Sequence, residues 1–130
     1  MVKEDYMIHS LYFSESGQIQ QLHDQPSIRT AFSGKKGLLW INISNPQADE
    51  IQDILSNLFN FHPLSIEDCQ SVGYQPPKVD DFGDYIFLIM HTVHPGEDFR
   101  EMETSELNIY LGENFLVTVH QEENLTAINS

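Results

Sequence analysis

One short segment constrains the fold of this chain more than any other feature. Residues 38–43, with the sequence LLWINI, are apolar apart from one amide, and the apolar positions are continuous rather than alternating. Alternation is typical of a strand with one face in solvent, whereas a continuous apolar run is typical of a strand covered on both faces. The segment therefore predicts a strand at the centre of a sheet and a layered α/β architecture.

Helical patterns flank this strand. Before it, residues 26–32 place apolar side chains at helical spacing. After it, Asn45 is the predicted N-cap and Pro46 the first residue of an amphipathic helix that extends to about Asn60. A second, shorter helix is predicted to begin near His62 and Pro63, directly after the first.

The remaining segments predict strands and turns. Prolines 76 and 77 end the helical region, because proline lacks a backbone donor and restricts the residue before it. Glycine-containing turns are expected at 14–17 and 112–114, each between two strands. Residues 94–98 predict a loop, and the polar residues 122–130 predict either a turn that enters a further helix or a frayed terminus. The predicted strands are 8–13, 19–22, 79–82 and 85–93 (which form one long or broken strand), 102–111 and 115–120.

Composition limits the classes of function. The chain has 130 residues, which predicts a single domain over 1–130, and it carries 20 acidic against six basic residues, for a formal net charge of −14. Such a charge repels nucleic-acid phosphates and anionic lipid headgroups, so neither is an expected partner. The single cysteine, Cys69, excludes an intrachain disulfide and fits a reducing compartment. No apolar run reaches the length of a membrane span.

The residues that could support catalysis do not form a known pattern. Cys69 has neither a neighbouring histidine nor a CxxC partner, so a small buried thiol is the favoured interpretation. His91 and His94, three apart on a predicted strand, point to opposite faces, which disfavours a shared zinc site. Phosphate-binding glycine loops, GxSxG and HExxH are missing. We therefore predict that the chain is not an enzyme.

Two adjacent carboxylates are the candidate metal ligands. Glu67 and Asp68 lie near the end of the second predicted helix. Mg²⁺ prefers oxygen ligands and commonly uses one or two carboxylates while keeping several waters. Neighbouring residues on a helix diverge by about 100°, so both carboxylates cannot easily hold one ion, and for the pair alone a solvated or N-capping role is the default interpretation.

A resemblance to a known protein family favours the ion-site interpretation of Glu67 and Asp68. Taken in order, the motifs in this sequence resemble the N-terminal cytosolic domain of CorA-type divalent-cation transporters, from about residue 10 onward. The motifs that carry the resemblance are WINI at 40–43, FHPLSIED at 61–68, PKVDDF at 77–82, DYIF at 84–87, ELNIYL at 106–111 and NFLVTVH at 114–120.

The resemblance implies a fold and a function. The fold is a three-layer α/β/α sandwich with a mixed, largely antiparallel sheet. The function is regulation of a homopentameric Mg²⁺ transporter from the cytoplasmic side of the inner membrane, with the stalk helix and transmembrane helices lying outside this chain. Asp68, with Glu67 close to it, would provide half of a regulatory Mg²⁺ site, and a neighbouring subunit's stalk helix would provide the other half.

Other interpretations stay open at this point. A transporter for zinc or another divalent cation would share the pattern, so Co²⁺, Ni²⁺ and Zn²⁺ remain candidates for the transported ion. A stand-alone interaction domain of the same fold is a second alternative. A small-molecule hydrolase ranks third, because no nucleophile with a base is visible.

Overall fold

The computed structural model describes residues 7–71, 75–95 and 102–121, which contain seven strands and three α-helices. A π-helical segment, Gln52–Leu58, continues directly from α2. The helices are α1 (Gln25–Gly34), α2 (Ala48–Ile51) and α3 (Pro63–Gln70). The strands are β1 (Met7–Phe13), β2 (Ile19–Leu22), β3 (Leu38–Ser44), β4 (Lys78–Asp81), β5 (Tyr85–Pro95), β6 (Met102–Gly112) and β7 (Phe115–His120).

All seven strands belong to one sheet, in the order β2-β1-β3-β7-β6-β5-β4. The pair β3 and β7 is parallel, and the other neighbouring pairs are antiparallel. This topology confirms the predicted α/β class and the mixed, largely antiparallel sheet. The parallel pair arises because the helical segments and the β4 to β6 strands lie between β3 and β7 in the chain.

One face of the sheet carries the hydrophobic core. Strand register places alternate residues of the central strands on this face, where they are almost completely buried. The π-helical segment and α3 cover them, and the rings of Phe59, Phe61 and Tyr110 stack in sequence at centroid distances of 4.9 and 4.0 Å. The buried apolar residues of the strands are Leu39, Ile41, Ile43, Phe87, Ile89, Tyr110, Phe115, Val117 and Val119.

The opposite face of the sheet is apolar but open. Trp40 is 36% exposed and Met90 is 47% exposed, and Leu38 and Leu111 also lie on this side. No helix in the described part of the chain packs on it, so β3 is not covered on both faces there as its continuous apolar run predicts. The second helical layer of the predicted sandwich is likewise not among the described residues.

The start of the helix after β3 differs from the prediction. Asn45 is not an N-cap: it has a positive φ of 49°, and its N–H donates to the carbonyl oxygen of His120 at the end of β7. The helix begins at Ala48, where Gln47 is the N-cap residue and donates its N–H to Glu50 Oε1 at 2.9 Å. Pro46 therefore precedes the helix. The chain needs these extra residues to turn away from the sheet.

The segments 79–82 and 85–93, predicted as one long or broken strand, form two antiparallel strands, β4 and β5. Gly83, with a φ of 94°, makes the turn between them, and its N–H donates to Asp81 Oδ1 at 2.8 Å. The sequence prediction allowed a break at 83–84 but not the reversal of strand direction, because only two residues separate the apolar runs. Of the predicted 94–98 loop, 94 and 95 belong to β5; 96–98 and the predicted 122–130 turn lie outside the described residues.

The other predicted elements are confirmed. The β1–β2 and β6–β7 hairpins form, with Gly17 in the first turn at a φ of 90°. Helix α1 begins slightly earlier than predicted because Asp24 caps it: Asp24 Oδ1 accepts from Ser27 N–H at 2.8 Å.

Candidate cation site at the end of helix α3

Helix α3 is fixed at its first turn by His62. The imidazole Nδ1 accepts from Leu64 N–H at 3.1 Å, which satisfies a donor that a helix start leaves free. The His62 N–H donates to the Tyr85 hydroxyl at 2.7 Å, and the imidazole stacks on the ring of Phe82. His62 therefore closes the turn into α3, as predicted, and ties the helix to strand β5.

The inner side of α3 is anchored on the sheet. Ser65, Ile66 and Cys69 are buried, and the Tyr110 hydroxyl donates to Ser65 Oγ at 3.1 Å and lies 3.5 Å from Cys69 Sγ. Loss of hydration on burial raises the pKa of the Cys69 thiol to about 12. The prediction of a small buried thiol is confirmed.

The outer side of α3 carries the two predicted metal ligands. Glu67 is exposed, and the Asp68 side chain keeps 24% of its surface accessible. Because the buried residues of α3 fix the rotation of the helix, both carboxylates are directed away from the core. Asp68 is not enclosed within its own subunit, so a neighbouring chain could reach it.

A lysine already contacts Asp68. Lys78 Nζ, at the start of β4, lies 2.6 Å from Asp68 Oδ2 and 3.1 Å from Asp80 Oδ2. The hydrogen bond to Asp68, followed by that to Asp80, raises the pKa of the Lys78 ammonium, so it stays charged at neutral pH. The three groups together carry one net negative charge, and Glu67 adds a second.

The end of α3 reinforces the negative potential. Helix carbonyls concentrate partial negative charge at a C-terminus, which favours cations there. The Asp68 carbonyl oxygen accepts from Gln75 Nε2 at 2.9 Å, and the Glu67 carbonyl oxygen accepts from Ser71 Oγ at 3.0 Å. These bonds engage both carbonyl oxygens, so the remaining ligands for an ion are the side-chain carboxylates, and that of Asp68 is already paired with Lys78.

The described residues do not form a complete metal site. Among 7–71, 75–95 and 102–121, no group of three or more His, Cys, Asp or Glu side chains is placed to hold a metal ion. Asp68 and Asp80 nevertheless offer the hard oxygen ligands that Mg²⁺ prefers, and Mg²⁺ needs only one or two carboxylates beside water. The chemistry fits a partial site that requires further oxygens from elsewhere.

Sequence reasoning missed Lys78 and Asp80 as neighbours of Asp68. Both residues lie within a motif that carries the family resemblance, but nothing in the sequence pairs them with α3. Their proximity depends on the β4–β5 hairpin, which the sequence predicted as one long or broken strand. A Lys-x-Asp alternation after two prolines, with both side chains on one face of a strand, is the signal that could have indicated it.

His91 and His94 lie on opposite faces of strand β5, as the sequence predicts. His91 lies opposite Glu106 and His94 opposite Glu103 in the β5–β6 register, and their separation of three residues puts them on opposite faces. His91 Nε2 hydrogen-bonds to the carbonyl oxygen of Gln75, and the side chain of His94 lies outside the described residues.

Comparison with known proteins identifies the family. The family model for the CorA-like Mg²⁺ transporter protein matches residues 35–130, which is most of the chain. The chain belongs to the CorA-like Mg²⁺ transporter family. Over 84 residues, or 65% of this chain, it is 37% identical to the putative metal ion transporter YfjQ of Bacillus subtilis, and 30% identical to the cobalt/magnesium transport protein CorA of Thermotoga maritima.

The fold agrees with this membership. The soluble domain of CorA from Methanocaldococcus jannaschii superposes with a TM-score of 0.64 at 21% identity, covering 99% of this chain and 45% of that one. The CorA-like chain matches 24% and 23% of the lengths of its bacterial relatives, so it spans about a quarter of each. None of the helices that the structure describes has the length and hydrophobicity needed to cross a bilayer.

Proposed function

We propose that this CorA-like domain is the cytosolic Mg²⁺-sensing part of a longer transporter, and that Asp68, assisted by Glu67, supplies one subunit's half of a regulatory site. The partner half would come from the stalk helix of the adjacent subunit in a homopentamer. The domain would then lie on the cytoplasmic side of the inner membrane, joined to it through the following part of the protein, and would carry out no catalysis.

The observation that supports this proposal is the position of Asp68. Its helix is anchored at the start by His62 and along the inner side by Ser65 and Cys69, while its own carboxylate stays accessible. The carboxylate also already binds a cation, the Lys78 ammonium. A bridge between subunits requires an accessible carboxylate that binds a cation and is carried by a well-anchored helix.

The gating mechanism follows from electrostatics. At high cytosolic Mg²⁺, an ion shared between carboxylates of adjacent subunits would offset the repulsion between acidic domains and hold a closed ring. At low Mg²⁺, repulsion would loosen the ring and favour opening. The ion must bind the closed arrangement more tightly than the open one, because equal affinities would shift no population.

The test is to replace Asp68 by Asn in the full-length transporter and to measure Mg²⁺ uptake or current as a function of cytosolic Mg²⁺. We expect the Mg²⁺ concentration for half-maximal closure to rise about tenfold, since loss of one charge-assisted ligand is worth about 1.4 kcal/mol. Glu15→Gln, in the exposed β1–β2 turn, removes the same charge far from the site and should leave closure unchanged. An Asp68→Asn response equal to that of the wild type would refute the proposal.

The transported ion is a separate matter from the regulatory one. The relative from Thermotoga maritima is named as a cobalt/magnesium transport protein, and on that basis we propose Mg²⁺, with Co²⁺ as the next candidate. Ni²⁺ and Zn²⁺ have no comparable support here. Uptake assays with each ion in the full-length protein would distinguish them.

A further inference from the structure

The Lys78 ammonium occupies the carboxylate that the proposed regulatory site requires. Its Nζ atom lies 2.6 Å from Asp68 Oδ2, which is a direct charge-assisted contact, and 3.1 Å from Asp80 Oδ2. The Lys78 side chain is 37% exposed and the Asp80 side chain 40% exposed. The contact therefore lies at the surface, where the side chains can rearrange without opening the core.

A divalent ion and this ammonium cannot share Asp68 without a cost. Two positive charges on the same carboxylate group repel each other, and the effective dielectric near a protein surface is well below that of water. Asp80 gives the lysine a second position: if Nζ leaves Asp68, it can keep its contact with Asp80. The exchange then requires rotation of one flexible side chain, and the ammonium stays paired throughout.

We propose that Lys78 is an internal competitor for the divalent cation at Asp68, and that it sets the cation concentration at which the site fills. This inference rests on the proposed function of Asp68 and adds its regulation. At low Mg²⁺ the ammonium neutralises Asp68 and limits repulsion at the end of α3. At high Mg²⁺ the ion displaces it toward Asp80.

The test uses this 130-residue chain and Mn²⁺ as a paramagnetic probe. Mn²⁺ broadens NMR signals of amides close to its binding position, and the broadening at residues 67–71 reports occupancy beside Asp68. We expect Lys78→Met to lower the Mn²⁺ concentration for half-maximal broadening about fivefold, the scale of a surface ion pair. Added Mg²⁺ should reverse the broadening. Lys78→Gln should behave in the same way, in case the methionine disturbs the fold.

Matched variants separate competition from a general charge effect. Lys36→Met removes the same charge from the exposed turn before β3 and should shift the midpoint less than twofold. Lys78→Arg keeps the charge and should stay close to the wild type. In the double variant Lys78→Met with Asp68→Asn, the increase in Mn²⁺ affinity should disappear. The inference would be overturned if Lys78→Met and Lys36→Met shifted the Mn²⁺ midpoint equally. It would also be overturned if the increase in Mn²⁺ affinity persisted without Asp68.

The two proposals fail in different experiments. A Lys78→Met gain in the isolated chain, together with unchanged gating of the full-length Asp68→Asn variant, supports competition and refutes the sensing role. Altered gating in Asp68→Asn without any Lys78→Met gain refutes competition and leaves the sensing role intact.

Discussion

At the scale of single residues, Tyr110 and Cys69 link the core to the helix that carries Asp68. The Tyr110 ring stacks on Phe61 in the core, and its hydroxyl bonds to Ser65 and contacts Cys69 on the buried side of α3. Desolvation raises the pKa of the Tyr110 hydroxyl as well as that of the Cys69 thiol. The native state therefore keeps both groups protonated and places them in a polar contact within an apolar environment.

This environment predicts a pH dependence of stability. Cys69 has a pKa of about 12 in the native state, against a usual value of 9.0. Above pH 9 the unfolded chain loses the thiol proton while the native chain keeps it, so the free energy of unfolding falls as pH rises. Between about pH 8 and about pH 10 the wild type should lose about 1.4 kcal/mol more than Cys69→Ala.

Urea unfolding of both proteins across that range would check the difference. Lysines and the other tyrosines contribute to both proteins alike. Desolvation is the largest cause of the raised Tyr110 pKa and keeps that hydroxyl protonated in both native states, so the comparison isolates the thiol. Parallel pH dependences for the wild type and Cys69→Ala would contradict the assigned burial of Cys69.

At the scale of the elements, α3 is a short helix whose orientation depends on its capping residue. An eight-residue helix is too short to be stable by itself, so its tertiary contacts must hold it. His62 adds a local cap through the bond from Leu64 N–H and one tertiary contact through its N–H bond to the Tyr85 hydroxyl. The position of Asp68 therefore depends on a residue that binds no ion.

We expect His62→Ala to lower the free energy of unfolding by about 1 kcal/mol, because the substitution removes the side-chain cap and the stacking on Phe82. His62→Asn should retain most of the stability, since asparagine is an effective N-cap. Chemical denaturation monitored by circular dichroism would measure both. Equal destabilisation by alanine and asparagine would show that the imidazole contributes through packing and not through the cap.

At the scale of the whole molecule, net charge and the open face of the sheet have opposite effects on the association of copies of the chain. The formal charge of −14 opposes association of copies and also opposes compaction of the chain itself. The apolar side chains of Leu38, Trp40, Met90 and Leu111 favour burial against another surface. Screening of charge should therefore shift both stability and self-association.

We expect the melting temperature of the chain to rise by about 4 °C between low ionic strength and about 150 mM NaCl, as a gain of ~1 kcal/mol would produce. MgCl₂ at matched ionic strength should add little, because the described chain holds only part of a metal site. Differential scanning fluorimetry, with sedimentation to follow association, would measure both. A large Mg²⁺-specific increase would indicate a complete ion site within one chain.

The sequence by itself determined the class of the fold and most of its elements. Apolar patterns and turn residues predicted α1, β3, α3 and the β6–β7 hairpin, because helices, exposed strands and buried strands differ in how apolar residues are spaced. It did not fix the start of α2 or the turn at Gly83. Those depend on where a chain leaving or entering the sheet finds hydrogen-bond partners, such as the His120 carbonyl that Asn45 uses.

The candidate site, like the fold, was predicted only in part from the sequence. The order of the motifs in the sequence led to Glu67 and Asp68 through family resemblance. Only the tertiary structure brought Lys78 and Asp80 to Asp68, because an ion pair between a helix end and an edge strand depends on the hairpin that orients the strand. Local patterns report which side of its own element a residue occupies, whereas contacts between elements are set by packing of the whole sheet.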